Sequence, residues 1–336
     1  MPKFIESIQT SYVDGFPVGV IRFTEPMEVL SSAVLNGGVS ETEAAFIMEV
    51  PKDYDHGDYI VMLNRVRGAL GLPDNSVGMM TAAEVDKVFN VKISYHNGVE
   101  VTAFSTAGLA NHVIAGEELT DYDEKAEVSI RRMNVLRPGT INIGVICPVP
   151  LTMEAKVNLT IPITEAKTVA MFRQGFLETG TTSDSIAIFC PKGEDRAKWT
   201  GTGSDIGIAT ARAVADAVGW ALRRRDEHPS PFSPDEIFRR CGYSRDMMYS
   251  ISGTKAGPER FQRKLEDLMS GNDVSTIMDM AYAISFRADS RGNDGHPEYP
   301  KRIKTAISKL LDVELRDGDL MDSIIHAIAV KAGKGL

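Results

Sequence analysis

Three prolines fall within six residues of 223-RRRDEHPSPFSPDE-236, directly after three arginines that close a helical pattern. Proline has no N–H to continue a helix, and it pushes the residue before it toward extended backbone. The composition changes at the same point. Upstream, Gly, Thr and β-branched residues mix with helical stretches; downstream, Met, Leu, Lys and Asp recur at helical spacing. This stretch predicts an α/β domain over residues 1–228, a mixed sheet with packed helices, and a smaller all-α domain over residues 232–336. A chain of 336 residues is long enough for two cores.

The net charge of −9 argues against a general nucleic-acid binder, which needs a basic face. The three cysteines, Cys147, Cys190 and Cys241, are far apart and lack CxxC spacing, so neither a disulfide framework nor a cysteine zinc site is expected. A reducing, cytoplasmic setting suits them. The start, MPKFIESIQTSYVDG, has no apolar h-region, and no run of about 18 apolar residues occurs, so neither a signal peptide nor a membrane span is expected.

Within the first unit, 17-PVGVIRF-23 and 28-EVLSSAVL-35 read as two strands, the second ending at the turn 36-NGG-38. The stretch 56–72 reads as a helix. In 91-VKISYHNGVEVTAF-104, two alternating runs meet at Asn97-Gly98, which predicts a type I′ hairpin. Strands are expected over 140–147 and 185–190, and a long helix over 204–225. Helical pattern covers 152–159 and 163–176, with an interruption expected at Pro162.

Small polar clusters border these elements: 36-NGG-38, 78-GMMTAAE-84, 105-STAGLANH-112, 139-GTIN-142, 179-TGTTSD-184 and 200-TGTGSD-205. Each alone can be a turn. Together they could line one pocket for a ligand rich in amides and hydroxyls, with Asn36, Thr81, Asn111, Thr181 and Thr202 as contacts. The loop 200-TGTGSDIG-207 lacks the Lys-Ser/Thr of a P-loop, so Ser204 or Asp205 reads first as a helix N-cap. Asp184 is either a turn former or a carboxylate at a strand end over a pocket. The six histidines show no HExxH or HxH spacing, and there is no GxSxG elbow. His112 sits in a Gly-containing loop and could touch ligand.

Glu165 and Lys167, in 163-ITEAKTVAMF-172, lie two apart and so cannot share a helix face. At about 100° per residue, Glu165 falls with Ile161, Val169, Phe172 and Phe176, and Lys167 nearer Ile163, Ala170 and Gln174. If the larger apolar residues face inward, Glu165 is buried, its pKa raised, and it can serve as a general acid or base. The alternative is a first-turn carboxylate complementing the helix dipole.

The stretches 31-SSAVLNGGV-39, 77-VGMMTAAEV-85, 105-STAGLANHVIAG-116, 139-GTINIGVI-146, 164-TEAKTVA-170, 178-ETGTTSDSIAIF-189 and 200-TGTGSDIGIATARAV-214 together resemble the adenosylcobinamide amidohydrolase (CbiZ) family of cobamide salvage. Their order and spacing agree over about residues 25 to 225. The sequence departs from the family at Thr182, where a glycine is usual, and at Gly203, where a histidine is common. The resemblance implies hydrolysis of the amide joining the aminopropanol arm to the corrin ring, as found typically in archaea. It implies a small-molecule corrinoid substrate that carries its own cobalt, and no cofactor of the protein. Amide hydrolysis needs a base, an acid and oxyanion donors. Glu165 or Asp184 is the expected base and acid; Lys167, Asn142 or Asn36 could stabilise the oxyanion, with Thr181 a weaker candidate nucleophile. A non-catalytic corrinoid-binding or carrier protein could use the same loops. A homo-oligomer is compatible with the sequence.

The C-terminal stretches 272-NDVSTIMDMAYAISFRADSRG-292 and 319-DLMDSIIHAIAVKAGKGL-336 faintly resemble α-ribazole-phosphate phosphatase domains, themselves similar to phosphatidylglycerophosphatase A. In 287-RADSRGNDGH-296, Asp289 and Asp294, with Asp322 further on, are candidates to hold Mg²⁺ for a phosphatase. Where the family has a DE-I-x-G pattern, this chain has Asp322-Ser323 and His326.

Overall fold

The computed structural model describes residues 2–51, 58–109, 112–116, 140–176 and 178–224, and then 238, 241–269, 274, 277–278, 281, 298–318, 320–334 and 336. Contacts divide the chain into two compact units, Met1–His228 and Pro229–Leu336. No helix among the described residues is long and apolar enough to cross a membrane.

The first unit is mixed α/β. Its strands are β1 (Ile5–Val13), β2 (Phe16–Ser31), β3 (Gly38–Glu49), β4 (Val77–Thr81), β5 (Asn90–His96), β6 (Val99–Ala107), β7 (His112–Val113), β8 (Ile141–Ile146), β9 (Gly180–Thr181) and β10 (Ser185–Cys190). Its helices are α1 (Tyr59–Ala69), the single turn α2 (Val85–Val88), α3 (Met153–Arg173) and α4 (Asp205–Leu222). Eight strands form one sheet in the order β4-β3-β2-β10-β8-β6-β5, with β1 also paired to β2; β7 and β9 form a separate two-stranded ribbon. The pairs β3/β4 and β8/β10 are parallel and the rest antiparallel.

Alternation explains how the sheet is covered. Ile141, Ile143, Val145 and Ile188 point to one face, where they pack on Leu159, Ile163 and Ala166 of α3 and Ala213, Val214 and Ala217 of α4. Phe104, Ile146, Ala187 and Phe189 point to the other, against Ile21, Phe23, Val29, Ile47 and Met79 from β2–β4. There an aromatic row runs through the core, with ring centroids 6.5 Å apart for Phe89–Phe104, 5.9 Å for Phe104–Phe189 and 5.0 Å for Phe189–Phe23.

The two strands expected at 17–23 and 28–35 are one strand, β2. Its pairing with β3 is irregular between Arg22 and Met27, where Pro26 cannot donate to the ladder. Beyond Ser31 the chain turns, and Asn36 and Gly38 take φ values of 53° and 87°. The expected hairpin is present: Asn97 and Gly98 both have positive φ, 46° and 82°, as a type I′ turn needs. Helix α3 does not break at Pro162 but runs through it, capped by Thr152, whose hydroxyl accepts from the Ala155 N–H at 3.2 Å. Leu159, Ile163 and Ala166 are buried on the sheet on both sides of the proline, and that burial offsets one missing backbone bond. Strands β1, β3 and β4 were not anticipated; β4 is buried at every position and so shows no alternation.

The described residues of the second unit form four helices, α5 (Arg245–Ser252), α6 (Pro258–Met269), α7 (Glu298–Leu311) and α8 (Leu320–Gly333). Met248, Phe261, Leu265, Ile324 and Ile328 lie in their shared core.

Gly144 of β8 pairs with Phe104 of β6, and a Cβ at Gly144 would lie 2.0 Å from the Phe104 ring. Gly144→Ala is expected to cost about 1–3 kcal/mol through overpacking. Gly68→Ala, on an exposed turn of α1 with open space around it, is expected to stabilise by about 0.5–1 kcal/mol. Urea unfolding midpoints compare the two.

Candidate functional site

Several strands end at one edge of the sheet, where their side chains turn polar. Strands β8 and β10 begin side by side, Asn142 opposite Ser185. Strand β6 ends there, Thr106 opposite Asn142, and β2 ends beside β10, Ser31 opposite Ala187. Ser32 and Ser185 share a hydrogen bond of 3.2 Å, and Thr140 and Ser183 one of 2.7 Å. The Thr81 hydroxyl donates to the Thr140 carbonyl at 3.5 Å and accepts from the Ala83 N–H at 3.1 Å.

Asp184 gathers this edge together. Its Oδ1 accepts from the backbone N–H of Thr181 at 3.1 Å, the backbone N–H of Ile141 at 3.2 Å and the Thr181 hydroxyl at 2.5 Å. Its Oδ2 is paired with the Lys167 ammonium. The Lys167 and Asp184 side chains are only 11% and 15% exposed. A Cβ on Gly180 would lie 2.3 Å from Asp184 Oδ2 and 2.4 Å from Lys167 Nζ. The Gly-Thr of 180-GTTSD-184 is thus set by the ion pair: glycine leaves room for it and threonine donates to it.

Glu165 is placed differently from the reading of the wheel. It is exposed, together with Ile161, Val169 and Phe172, and Lys167 is the buried member. Helix α3 buries its small residues, Ala155, Ala166 and Ala170, so that it lies close to the sheet and to the alanines of α4. Side-chain size therefore pointed to the wrong face. The Glu165 carboxylate accepts from the Thr202 hydroxyl at 2.9 Å, tying α3 to the 200–205 loop.

Two of the proposed oxyanion donors are already engaged. The Asn36 amide donates to the Asp74 and Ser76 carbonyls, both at 2.9 Å. The Asn142 amide donates to the Met80 carbonyl at 2.9 Å and to Thr106 Oγ1 at 3.3 Å, and its buried Oδ1 has no partner among the described residues. Asn142 thus clamps β8 to the ends of β4 and β6, and Asn36 clasps its own turn. Asn111 lies outside the described residues. Ser204 is the N-cap of α4, its hydroxyl accepting from Gly207 N–H at 3.0 Å.

Glu178 was not singled out from the sequence, although it begins a family-like stretch. It is buried and pairs with His112, Nδ1 to Oε1, at 3.0 Å. Backbone pairing of β7 with β9 sets His112 opposite Thr181. An acidic residue directly before the TGT loop was the available signal.

A second buried ammonium sits lower on the same helix. Lys156 is 2% exposed and donates to Glu28 at 2.6 Å. Arg196 also grips Glu28, at 2.6 and 2.8 Å. The Arg196 hydrogen bonds, then those of Lys156, outweigh burial and lower the Glu28 pKa to about 2. A cavity of about 570 Å³ opens beside this cluster, lined also by Ser40, Glu41 and Glu154.

Asp322 in the second unit accepts from the Tyr243 hydroxyl and pairs with Arg316. Asp289 and Asp294 lie outside the described residues. Among the described residues no three His, Cys, Asp or Glu side chains converge as a metal site.

Comparison with known proteins places the sequence. The family model for adenosylcobinamide amidohydrolase matches residues 3–230. Curated relatives include the adenosylcobinamide amidohydrolase of Halobacterium salinarum, 27% identical over 65% of this chain and 89% of the relative. The adenosylcobinamide amidohydrolase of Methanosarcina mazei is 24% identical over 58% of this chain and 90% of its own length. Among solved structures, the PH0078 protein of Pyrococcus horikoshii OT3 aligns over 67% of this chain and 84% of its own at 15% identity, with a TM-score of 0.34. A β-aminopeptidase of a Burkholderia species aligns over 64% and 79%, also at 15% identity, with a TM-score of 0.30. The chain belongs to the adenosylcobinamide amidohydrolase family, a class of amide-bond hydrolases of cobamide salvage.

The depressed Glu28 pKa fixes a pH signature. Because the folded value, about 2, lies below the ordinary 4.5, the stabilisation is complete above about pH 4.5 and is lost as pH falls through 2. Glu28→Gln is expected to flatten the acid limb of a stability-against-pH curve, removing on the order of 2 kcal/mol at neutral pH.

Proposed function

We propose that the protein hydrolyses the amide between the aminopropanol arm and the corrin ring of adenosylcobinamide, giving adenosylcobyric acid and 1-aminopropan-2-ol. The observation that carries this reading is the hydroxyl of Thr181 donating to Asp184, whose second oxygen is held by Lys167. The sequence offered no base for Thr181; its hydrogen bond to Asp184, three residues away, supports that carboxylate in the role. Nucleophile, base and orienting group then stand in the order that covalent acyl transfer requires.

In this mechanism Asp184 takes the Thr181 proton as Oγ1 attacks the amide carbon. The carbon–nitrogen bond breaks as the proton passes to the departing amine, and water then hydrolyses the ester on Thr181. Lys167 holds Asp184 in place and lies within reach of developing negative charge. His112, oriented by Glu178 and set opposite Thr181, is a second proton carrier for the amine. Thr81 and Asn142 shape the strand ends beneath the substrate, and Thr202 with Glu165 holds the neighbouring loop. The cobalt is part of the substrate, so the chemistry asks the protein for protons and a nucleophile only.

The helical second unit reads as a separately folded domain. Its resemblance to α-ribazole-phosphate phosphatases proposes a second activity, but Asp322 is committed to Arg316 and Tyr243. Purified protein is therefore expected to release no phosphate from α-ribazole 5′-phosphate with Mg²⁺.

Conversion of adenosylcobinamide to a more acidic corrinoid on ion exchange tests the main reading; tight binding without conversion would instead mark a corrinoid carrier. Asp184→Asn and Thr181→Val are each expected to lower kcat roughly 10²–10⁴-fold in folded protein. Glu165→Gln is expected to stay within about tenfold of the parent, since loss of a loop contact is a smaller perturbation.

A further inference from the structure

The groups that surround Thr181 also surround a bond of the chain itself. Thr181 follows Gly180, and a threonine hydroxyl reaches the carbonyl carbon of the preceding residue by closing a five-membered ring. Here the hydroxyl donates to Asp184 Oδ1 at 2.5 Å. The nitrogen of the same peptide bond donates to the same oxygen at 3.1 Å. A Cβ on Gly180 would lie 2.4 Å from Lys167 Nζ, so the ammonium stands against the main chain of the residue whose carbonyl would be attacked. His112, paired with Glu178, lies opposite Thr181 across the β7/β9 ribbon.

A second Gly-Thr step in the chain lacks this arrangement. Thr202 is exposed, and its hydroxyl donates to Glu165 at 2.9 Å. What stands against Gly201 is the Asn158 amide, 3.2 Å from an added Cβ, and not an ammonium. Thr181, by contrast, is only 8% exposed.

We propose that the protein cuts its own chain between Gly180 and Thr181. Asp184 takes the hydroxyl proton as Thr181 Oγ1 attacks the Gly180 carbonyl carbon, and Lys167 stabilises the charge that develops on the carbonyl oxygen. The carbon–nitrogen bond breaks and the proton passes to the departing nitrogen, which leaves Gly180 esterified to Thr181 Oγ1. One water then hydrolyses the ester. The products are a carboxylate on Gly180, a restored hydroxyl and a free amine on Thr181. That amine is already seated on Asp184, where its N–H donated before. An α-amine titrates at about 7.7–8, close to where a general base works best, and a threonine can be activated by its own terminal amine. Self-cleavage thus equips the nucleophile with a base of its own. The two pieces stay together, because β10 on the second remains paired with β2 and β8 on the first. The inference rests on the roles proposed for Thr181, Asp184 and Lys167.

Mass spectrometry of the purified, denatured protein reads the outcome. Chains 1–180 and 181–336 are expected, their masses summing to that of the uncut chain plus one water, the second beginning Thr-Thr-Ser-Asp. Thr181→Val is expected as a single uncut chain and Thr181→Ser as two; circular dichroism checks that both fold. Asp184→Asn is expected to slow cutting by about 10²-fold or more. Hydroxylamine added to that slow variant is expected to speed cutting and leave a hydroxamate on Gly180, which a contaminating protease would not produce. An uncut parent, or cutting that persists in Thr181→Val, overturns the proposal. Corrinoid turnover by an uncut parent would overturn it and leave the amidohydrolase reading standing; a cut protein without turnover would uphold it and count against that reading.

Discussion

The buried contact between Lys167 and Asp184 holds together parts of the chain that share no ladder. It joins the middle of α3 to the loop before β10, and through Asp184 Oδ1 to the first amide of β8. Separating such a pair is costly, because either partner left alone is an uncompensated charge in a poorly solvated place. That penalty fixes where α3 lies over the sheet. It also fixes the residues around the pair: Gly180 because any side chain would collide, and Thr181 because the remaining carboxylate lone pairs need donors.

The same helix makes a second anchor. Lys156 and Lys167 are eleven residues apart, three turns with about 20° to spare, so both point at the sheet. Their carboxylates sit at opposite ends of β10: Asp184 just before it, and Glu28 opposite Cys190 at its end. The ends differ in chemistry. At the Glu28 end Arg196 completes a closed ionic cluster; at the Asp184 end a hydroxyl takes the remaining place. A structural lock and a candidate reactive centre are thus built by repeating one device along one helix.

How much of this was legible depended on whether the signal was local. The Asn97-Gly98 hairpin, the Ser204 cap and the strands around 141–146 and 185–190 follow from backbone rules within a few residues, and they are present. The polar loops identified the family by their order. The orientation of α3 was not legible, since large apolar residues lie on both faces, Leu159, Ile163 and Met171 inside and Val157, Ile161, Val169 and Phe172 outside, and the alanines and two lysines lie inside. That choice of face depends on the partner surface, with Ala209, Ala213 and Ala217 of α4 and the carboxylates of Glu28 and Asp184 awaiting the helix. The pairing of Thr181 with Asp184 was hidden for a related reason: a three-residue spacing in a loop has no geometry until the strand after it is placed.

Pro162 stands between the two lysines. Geometrically α3 is one rod, but the proline supplies no N–H to the carbonyl one turn before it, so its hydrogen-bond ladder is interrupted once along its length. Helices gain their cooperativity from an unbroken succession of such bonds. The two ends of α3 are therefore less strongly coupled than its length suggests. Fraying at the Glu28 lock can stop at the proline, and the turn that carries Lys167 keeps its register against the sheet.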